Sequence, residues 1–363
     1  MRILIITNNV PPIKCGIGDY VYKLKQSLEY QNEYVDVIAF KGDPSKHTYL
    51  FKSVDMYNDK MLSFIKQMKY DHVLMQYTPL MYKGNIFHYN NKLIQFWNKC
   101  VRITNCSMMI HETYNYNISR PISFLRGEIE KRMILVLAAH SHYIFSSPKT
   151  LTIELLRRFK NKKVSHFSIC SNITPLQINR NKAKGSLGLD STNFYIALFG
   201  SENAISKNLI VNVEQIITSL GLQIEWILLG GIKGNNIKFK SRYYEVDYQP
   251  EEIISRWLTA SDILLMPHTD GVSFKRGTLM AALEHGLPIL GTIGKYTDTE
   301  LFTMKGIKLF TINDYKNIAG FLVLLSRDKE LWREMGKCNK QYYRDNLDIF
   351  ISCGKILKVL NEK

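Results

Sequence analysis

The chain has 363 residues, 45% apolar and 22% charged, too apolar for a disordered polymer and long enough for two α/β domains of the usual ~100–200 residues. No apolar run reaches the ~18–20 residues that span a bilayer, and the opening MRILIITNNV lacks the apolar centre and small-residue cleavage site of a secretory leader, so a cytoplasmic protein is expected. The formal net charge of +16 is lopsided: residues 1–180 carry 25 Lys and Arg against 12 Asp and Glu, and residues 181–363 carry 23 against 20.

In chain order, RILIIT (2–7) reads as a strand, CGIGDY (15–20) as a Gly-containing loop, and YVYKLKQSLEY (20–30) as an amphipathic helix. VDVIAF (35–40) is a second strand, MLSFIKQM (61–68) a helix, HVLMQY (72–77) a strand, and KLIQFWNKC (92–100) a helix. CSMMIHE (106–112) reads as a strand ending at His111 and Glu112, followed by a long helix over 123–139 and a strand YIFSS (143–147). Strands alternating with helices predict a parallel sheet covered on both faces. Residues 172–193, rich in Asn, Lys, Ser and Gly, read as an interdomain linker.

A second alternation follows: strands at 194–200, 224–231, 262–267 and 287–292, with helices at 209–221, 251–261 and 277–286. The expected fold is α/β, with two Rossmann-like parallel-sheet domains facing a central cleft. The expected boundaries are 1–175 for an acceptor-side domain, 190–340 for a donor-binding domain, and 341–363 for a C-terminal helix returning to the first. In open parallel sheets ligands bind beyond the carboxyl ends of the strands, so the loops that follow strands should carry the chemistry. The six cysteines include no CxxC pair and are read as free thiols, and no structural metal is expected.

The most informative stretch is ASDILLMPHTDGVSFKRGTLMAALEHGLPILGT (260–292). A strand ends at Pro267, a polar loop brings Ser273, Lys275 and Arg276, and a helix starts near Gly277 and Thr278. Unpaired N–H groups and a partial positive charge make a helix start a phosphate site. There Gly277 lets the backbone approach, Thr278 caps the helix or donates, and Lys275 and Arg276 add charged donors.

This stretch resembles the donor-binding region of GT-B glycosyltransferases, in particular the retaining enzymes of glycosyltransferase family 4. Asp262, Pro267, Gly286, Pro288 and the pair Ile289 and Leu290 fall in step with that pattern. The family's Glu-x7-Glu pair does not: its positions fall on Ser273 and Ala281, and the string is similar instead to a variant with Gly-Val-Ser-x-Arg-Arg-Gly-Thr. In that variant the resemblance implies that Ser273, Arg276, Gly277 and Thr278, with Leu279, take the donor-phosphate contacts. FGSENAISKNL (199–209) resembles the segment whose Arg and Lys touch the diphosphate, which puts Lys207 in the Lys role and Ser201 where the Arg would stand. WILLGG (226–231) resembles the strand beside the nucleotide, and the backbone near Val246 and Tyr248 is implied to read the base. CGIGDY implies donor or acceptor contacts at Gly16 and Gly18, MMIHETYNY (108–116) places His111 near the transferred sugar, and QYTP (76–79) shapes the acceptor side.

The resemblance therefore implies a retaining hexosyltransferase. It would use a UDP- or GDP-sugar and a glycan or lipid-linked acceptor in cell-surface polysaccharide or glycoconjugate synthesis. His111, Lys207 and Arg276 are its catalytic candidates. No Asp-x-Asp follows a predicted strand, so neither metal nor other cofactor is expected. The charge asymmetry favours an anionic partner, and a peripheral position on the inner membrane face would bring a basic half to anionic lipid through segments such as RRFKNKK (157–163) and KLKQSLEY (23–30). The alternatives are a nucleotide-sugar epimerase of the same fold, which would need acid/base carboxylates, and a basic membrane- or nucleic-acid-binding protein. No nucleic-acid motif is present, and no nucleic-acid partner is expected.

Overall fold

A computed structural model describes residues 1–52, 57–79, 81–82, 90–114 and 121–362. The chain divides into two compact units, one of Met1–Ile169 with Ile349–Lys363, the other of Cys170–Asp348.

In the first unit, seven strands are β1 (Arg2–Ile6), β2 (Tyr34–Ala39), β3 (Thr48–Leu50), β4 (His72–Tyr77), β5 (Asn105–Ile110), β6 (Tyr143–Ser146) and β7 (Lys163–His166). They lie in the order β3-β2-β1-β4-β5-β6-β7, every neighbouring pair parallel. Helices α1 (Gly16–Tyr30), α2 (Asp59–Met68), α3 (Asn91–Cys100), α4 (Pro121–His140) and α5 (Lys149–Arg158) connect them. The central strands are apolar runs because helices cover both faces. Leu4, Ile6, Val73, Met75, Met108 and Ile110 of the sheet share one core with Leu93, Phe96, Trp97 and Ile134 of α3 and α4. Asn58 and Asn90 cap α2 and α3 by accepting from first-turn N–H groups.

The second unit begins with α6 (Arg180–Ser186), inside the stretch expected to be a linker. Its strands are β8 (Phe194–Gly200), β9 (Ile224–Gly230), β10 (Tyr243–Val246), β11 (Ile263–Met266), β12 (Ile289–Thr292) and β13 (Ile307–Phe310), ordered β10-β9-β8-β11-β12-β13 and parallel throughout. The intervening helices are α7 (Lys207–Ser219), α8 (Gly234–Ile237), α9 (Glu251–Ala260), α10 (Gly277–His285), α11 (Tyr315–Arg327) and α12 (Lys329–Asn346). The last helix, α13 (Ile349–Asn361), belongs to the first unit, where it packs on α1.

The polar 172–193 stretch folds because a charge at the amino end of β11 needs partners. Asp262 is buried, accepts from the Tyr195 backbone N–H (2.8 Å) and the Lys184 ammonium (3.0 Å), and pairs with Arg180. Burial pushes the Lys184 pKa down and Asp262 pulls it up. The Arg180 guanidinium also lies 4.0 Å over the Trp332 ring. All six cysteines are unbridged. Among the described residues, no helix is long and apolar enough to cross a membrane.

Candidate active site

Counted within the second unit, its strands run 3-2-1-4-5-6, so the winding reverses between β8 and β11. The connections leaving these two neighbours head to opposite sides of the sheet and open a crevice at its carboxyl edge, where such sheets take nucleotides. Two loops line the crevice. β8 ends at Gly200, and after it come Ser201, a 3-10 turn (Glu202–Ala204) and α7, whose first turn is capped by the Ser206 hydroxyl accepting from the Leu209 N–H at 3.2 Å. After β11 come residues 267–276 and then α10.

The two loops are laced together. The Ser206 N–H donates to the Pro267 carbonyl (2.7 Å), the Thr269 N–H to the Ala204 carbonyl (3.3 Å), and the Thr292 hydroxyl to the His268 carbonyl (2.6 Å). His268 is buried beneath them, and burial together with the Arg276 charge pushes its pKa down to about 4.

The floor of the crevice is backbone. At Gly230 φ is +90°, and a Cβ there would stand 2.9 Å from the Gly200 carbonyl oxygen, so both the dihedral and the approach require glycine. The Gly231 N–H donates to the same carbonyl (3.1 Å). On one side the Gly200 surface meets the Thr278 methyl, 3.7 Å from a Cβ built on Gly200, and on the other the Tyr248 hydroxyl lies 3.5 Å from a Cβ built on Gly231. Thr278, Gly200, Gly230, Gly231 and Tyr248 thus form one continuous strip. Tyr248 is 62% exposed, whereas Val246 is buried in β10.

At one end of this strip α10 begins. Its N-cap is Arg276, whose side chain makes no capping bond. Gly277 adds nothing to block the helix start: the nearest atom to a Cβ built there is the Asn172 Oδ1 at 3.9 Å. Ser273 is 3% exposed, and its hydroxyl oxygen has no hydrogen-bond partner among the described residues. The Lys275 ammonium rests 4.0 Å over the Tyr296 ring. The Arg276 guanidinium pairs with Asp270 and donates to the Gly271 carbonyl (3.4 Å); burial lowers its pKa against the opposing pull of Asp270. Lys207, the first residue of α7, pairs with Glu202. Glu202 also accepts from the Asn236 amide (2.9 Å); that bond first, and the Lys207 bond second, hold its carboxyl below the usual range. Leu279 is not brought into the crevice: its side chain is fully buried and its N–H is spent on the Arg276 carbonyl (3.0 Å).

His111, Gly16 and Gly18 stand at the carboxyl edge of the first sheet. Gly16 is exposed at the first position of α1. Gly18 is a packing glycine, since a Cβ there would lie 2.9 Å from the Asn9 carbonyl oxygen. His111 follows β5, anchored by its N–H to the Tyr77 carbonyl (2.9 Å). Its ring meets Tyr20 and Phe167 edge-on, with centroids 5.1 and 5.3 Å away, and its Nε2 lies 2.7 Å from the Gln76 Oε1. Burial pushes its pKa down to about 3, so the ring is neutral at physiological pH. QYTP lies in β4 and the turn after it, while residues 115 and 116 of MMIHETYNY lie outside the described residues.

Sequence reasoning passed over Glu202, named Asp270 in the polar loop without giving it a role, and read Gln76 within QYTP as part of the acceptor side and not as the partner of His111. Glu202 carried no motif. Asp270 had one clue, its place in the same polar loop as Arg276. Gln76 had another, an amide in an otherwise apolar strand segment.

No protein-family profile matches this sequence, and no curated protein is detectably similar to it. Solved structures share its fold along the whole chain. A glycosyltransferase from Rickettsia africae matches with a TM-score of 0.72 at 13% identity, covering 99% of this chain and 98% of that one. Anabaena HepE in complex with UDP and glucose matches with a TM-score of 0.67 at 12% identity, covering 100% of both chains. UDP-GlcNAc 2-epimerase from Neisseria meningitidis bound to UDP-GlcNAc matches with a TM-score of 0.65 at 12% identity, again over 100% of both. The chain has the α/β fold of the GT-B glycosyltransferases, with two parallel sheets of seven and six strands.

Proposed function

We propose that this protein is a glycosyltransferase that moves a sugar from a nucleoside-diphosphate donor to a glycan or lipid-linked acceptor, with retention at the anomeric carbon. The observation that carries this reading is the backbone strip from Thr278 through Gly200 and Gly230 to Tyr248, at the point where the second sheet reverses its winding. The glycines at its centre let a diphosphate come close to the backbone, and the start of α10 supplies partial positive charge at one end. Tyr248 offers an exposed aromatic ring at the other end, suited to a nucleoside.

In the proposed reaction the bond from the anomeric carbon to the diphosphate oxygen breaks. The acceptor oxygen bonds to the same face, and its proton passes to the departing diphosphate. Lys207, Lys275, Arg276 and the α10 N–H groups stabilise the negative charge that develops on the leaving group. The cation role is thereby filled by the chain's own residues without a metal. His111, neutral and bonded through Nε2, binds a hydroxyl rather than attacking carbon. The same strip suits an epimerase, and the Neisseria enzyme of like fold bound to UDP-GlcNAc favours that as the second reading.

Thermal-shift measurements with UDP, GDP, ADP and their sugars test the donor site, since a ligand that binds only the folded state raises its melting temperature. UDP comes first, because HepE of like fold holds it. A shift with one nucleoside diphosphate and its sugar is expected; no shift with any of them sinks the reading. Product analysis then separates the two activities, because an epimer formed without acceptor assigns the epimerase.

The excess positive charge of residues 1–180 supports docking on an anionic membrane, where lipid-linked acceptors lie. Flotation is expected with vesicles containing anionic lipid and not with neutral ones. Equal binding to both, or to neither, removes the electrostatic docking.

A further inference from the structure

Every residue of β4 is buried, and Gln76 is fully so. Its Oε1 meets the His111 Nε2 at 2.7 Å, while its Nε2 has no hydrogen-bond partner among the described residues. An unmet amide N–H in the interior costs free energy that an apolar side chain of similar length avoids. Met75, Met108 and Met109 already fill neighbouring places on this sheet. The position therefore keeps a polar group with one unmet N–H, and its one side-chain bond among the described residues goes to His111.

An amide oxygen can only accept, so the Nε2 facing it must carry a hydrogen. Burial among Tyr20, Phe167 and β4 denies the ring a second proton, which leaves the lone pair on Nδ1. Tyr20 from α1 is the titratable side chain packed against the ring, and Glu112 is its chain neighbour. The reverse amide orientation would press an NH2 against Nε2 and force the hydrogen onto Nδ1, so the tautomer is diagnostic.

We propose that Gln76 is a positioning residue that fixes His111 as the Nε2–H tautomer and so presents the Nδ1 lone pair to a hydroxyl group. That the hydroxyl belongs to a carbohydrate rests on the glycosyltransferase reading; the tautomer itself does not.

The test is nitrogen NMR of protein labelled with 15N-histidine, with His111→Gln identifying the signals, alongside turnover of Gln76 variants shown to be folded. In the unsubstituted protein Nε2 is expected to bear hydrogen and Nδ1 to be bare. Gln76→Met should lose the single tautomer and turn over about tenfold or more slowly. Gln76→Glu should move the His111 protonation midpoint upward, because a carboxylate beside Nε2 favours the imidazolium. Hydrogen on Nδ1 in the unsubstituted protein, or an unchanged tautomer in Gln76→Met, overturns the proposal. If no donor or acceptor is turned over, the nitrogen shifts still decide the role of Gln76, and only the transferase reading falls.

Discussion

Arg276→Ala and Lys207→Ala are each expected to slow turnover about tenfold or more, a loss of about 1.4 kcal/mol or more of transition-state stabilisation. Both residues stand at helix starts beside the crevice, and both are held by a carboxylate, Arg276 by Asp270 and Lys207 by Glu202. A diphosphate must therefore share or displace those carboxylates. The exchange becomes more favourable as negative charge accumulates on the leaving group, so the effect belongs in kcat more than in KM. The folds should survive: the Asp270 side chain left behind is 36% exposed and stays hydrated. Arg276→Lys should recover only part of the rate, since an ammonium keeps the charge and loses the paired donors. Initial rates and melting temperatures measured together decide the matter. Near-normal turnover in both alanine variants removes these residues from the chemistry.

Asp262→Ala is expected to cost about 3–5 kcal/mol of stability, because it strands a buried cation. The Lys184 side chain is 3% exposed, and its ammonium pairs with Asp262 at 3.0 Å. The same substitution removes the acceptor of the Tyr195 N–H and one partner of Arg180. Replacing the cation as well, in Asp262→Ala with Lys184→Met, should restore part of the loss, since removing both charges is tolerated better than removing one. Urea midpoints of the single and double variants measure this directly. A single variant as stable as the unsubstituted protein would show that solvent reaches Lys184. Asp262 immediately precedes β11, at the edge of the sheet opposite the crevice, so the folded fraction of either variant should keep its turnover.

The nine strands read from the sequence are the interior strands of the two sheets, and the four it missed, β3, β7, β10 and β13, are the four edges. Length does not separate them: β6, β11 and β12 have four residues each, as do β7, β10 and β13. Burial does. Interior strands such as ILLM and ILGT are wholly buried, so selection for apolar residues leaves a run. KVSH, YYEV and IKLF face solvent along much of their length and carry charge, which protects an edge from pairing with another chain and erases the run. The 172–193 stretch was misread for a related reason: its polar composition is real, but Lys184 is buried by a partner 78 positions away.

The crevice was legible where local rules govern it. Pro267 ends a strand region and Gly277 starts a helix, and both could be placed from spacing alone. The pairings of Glu202, Asp270 and Gln76 were not legible, because each depends on how loops from separate strands meet. The glycines divide in the same way. Gly18 looked like a ligand contact within its motif, and only the Asn9 carbonyl above it shows the packing constraint.

The chain leaves the first unit after residue 169 and re-enters it at residue 349. A ribosome emits the earlier residues first, so β1 to β7 can assemble while the second unit is still being made. Throughout that interval α1 lacks α13, the helix that later brings the Cys353 thiol against the Leu24 carbonyl and sets the Phe350 ring edge-on to Tyr30. The second unit is continuous in sequence and needs no such wait. During synthesis the crevice between β8 and β11 can therefore be complete before the first unit has received its last helix.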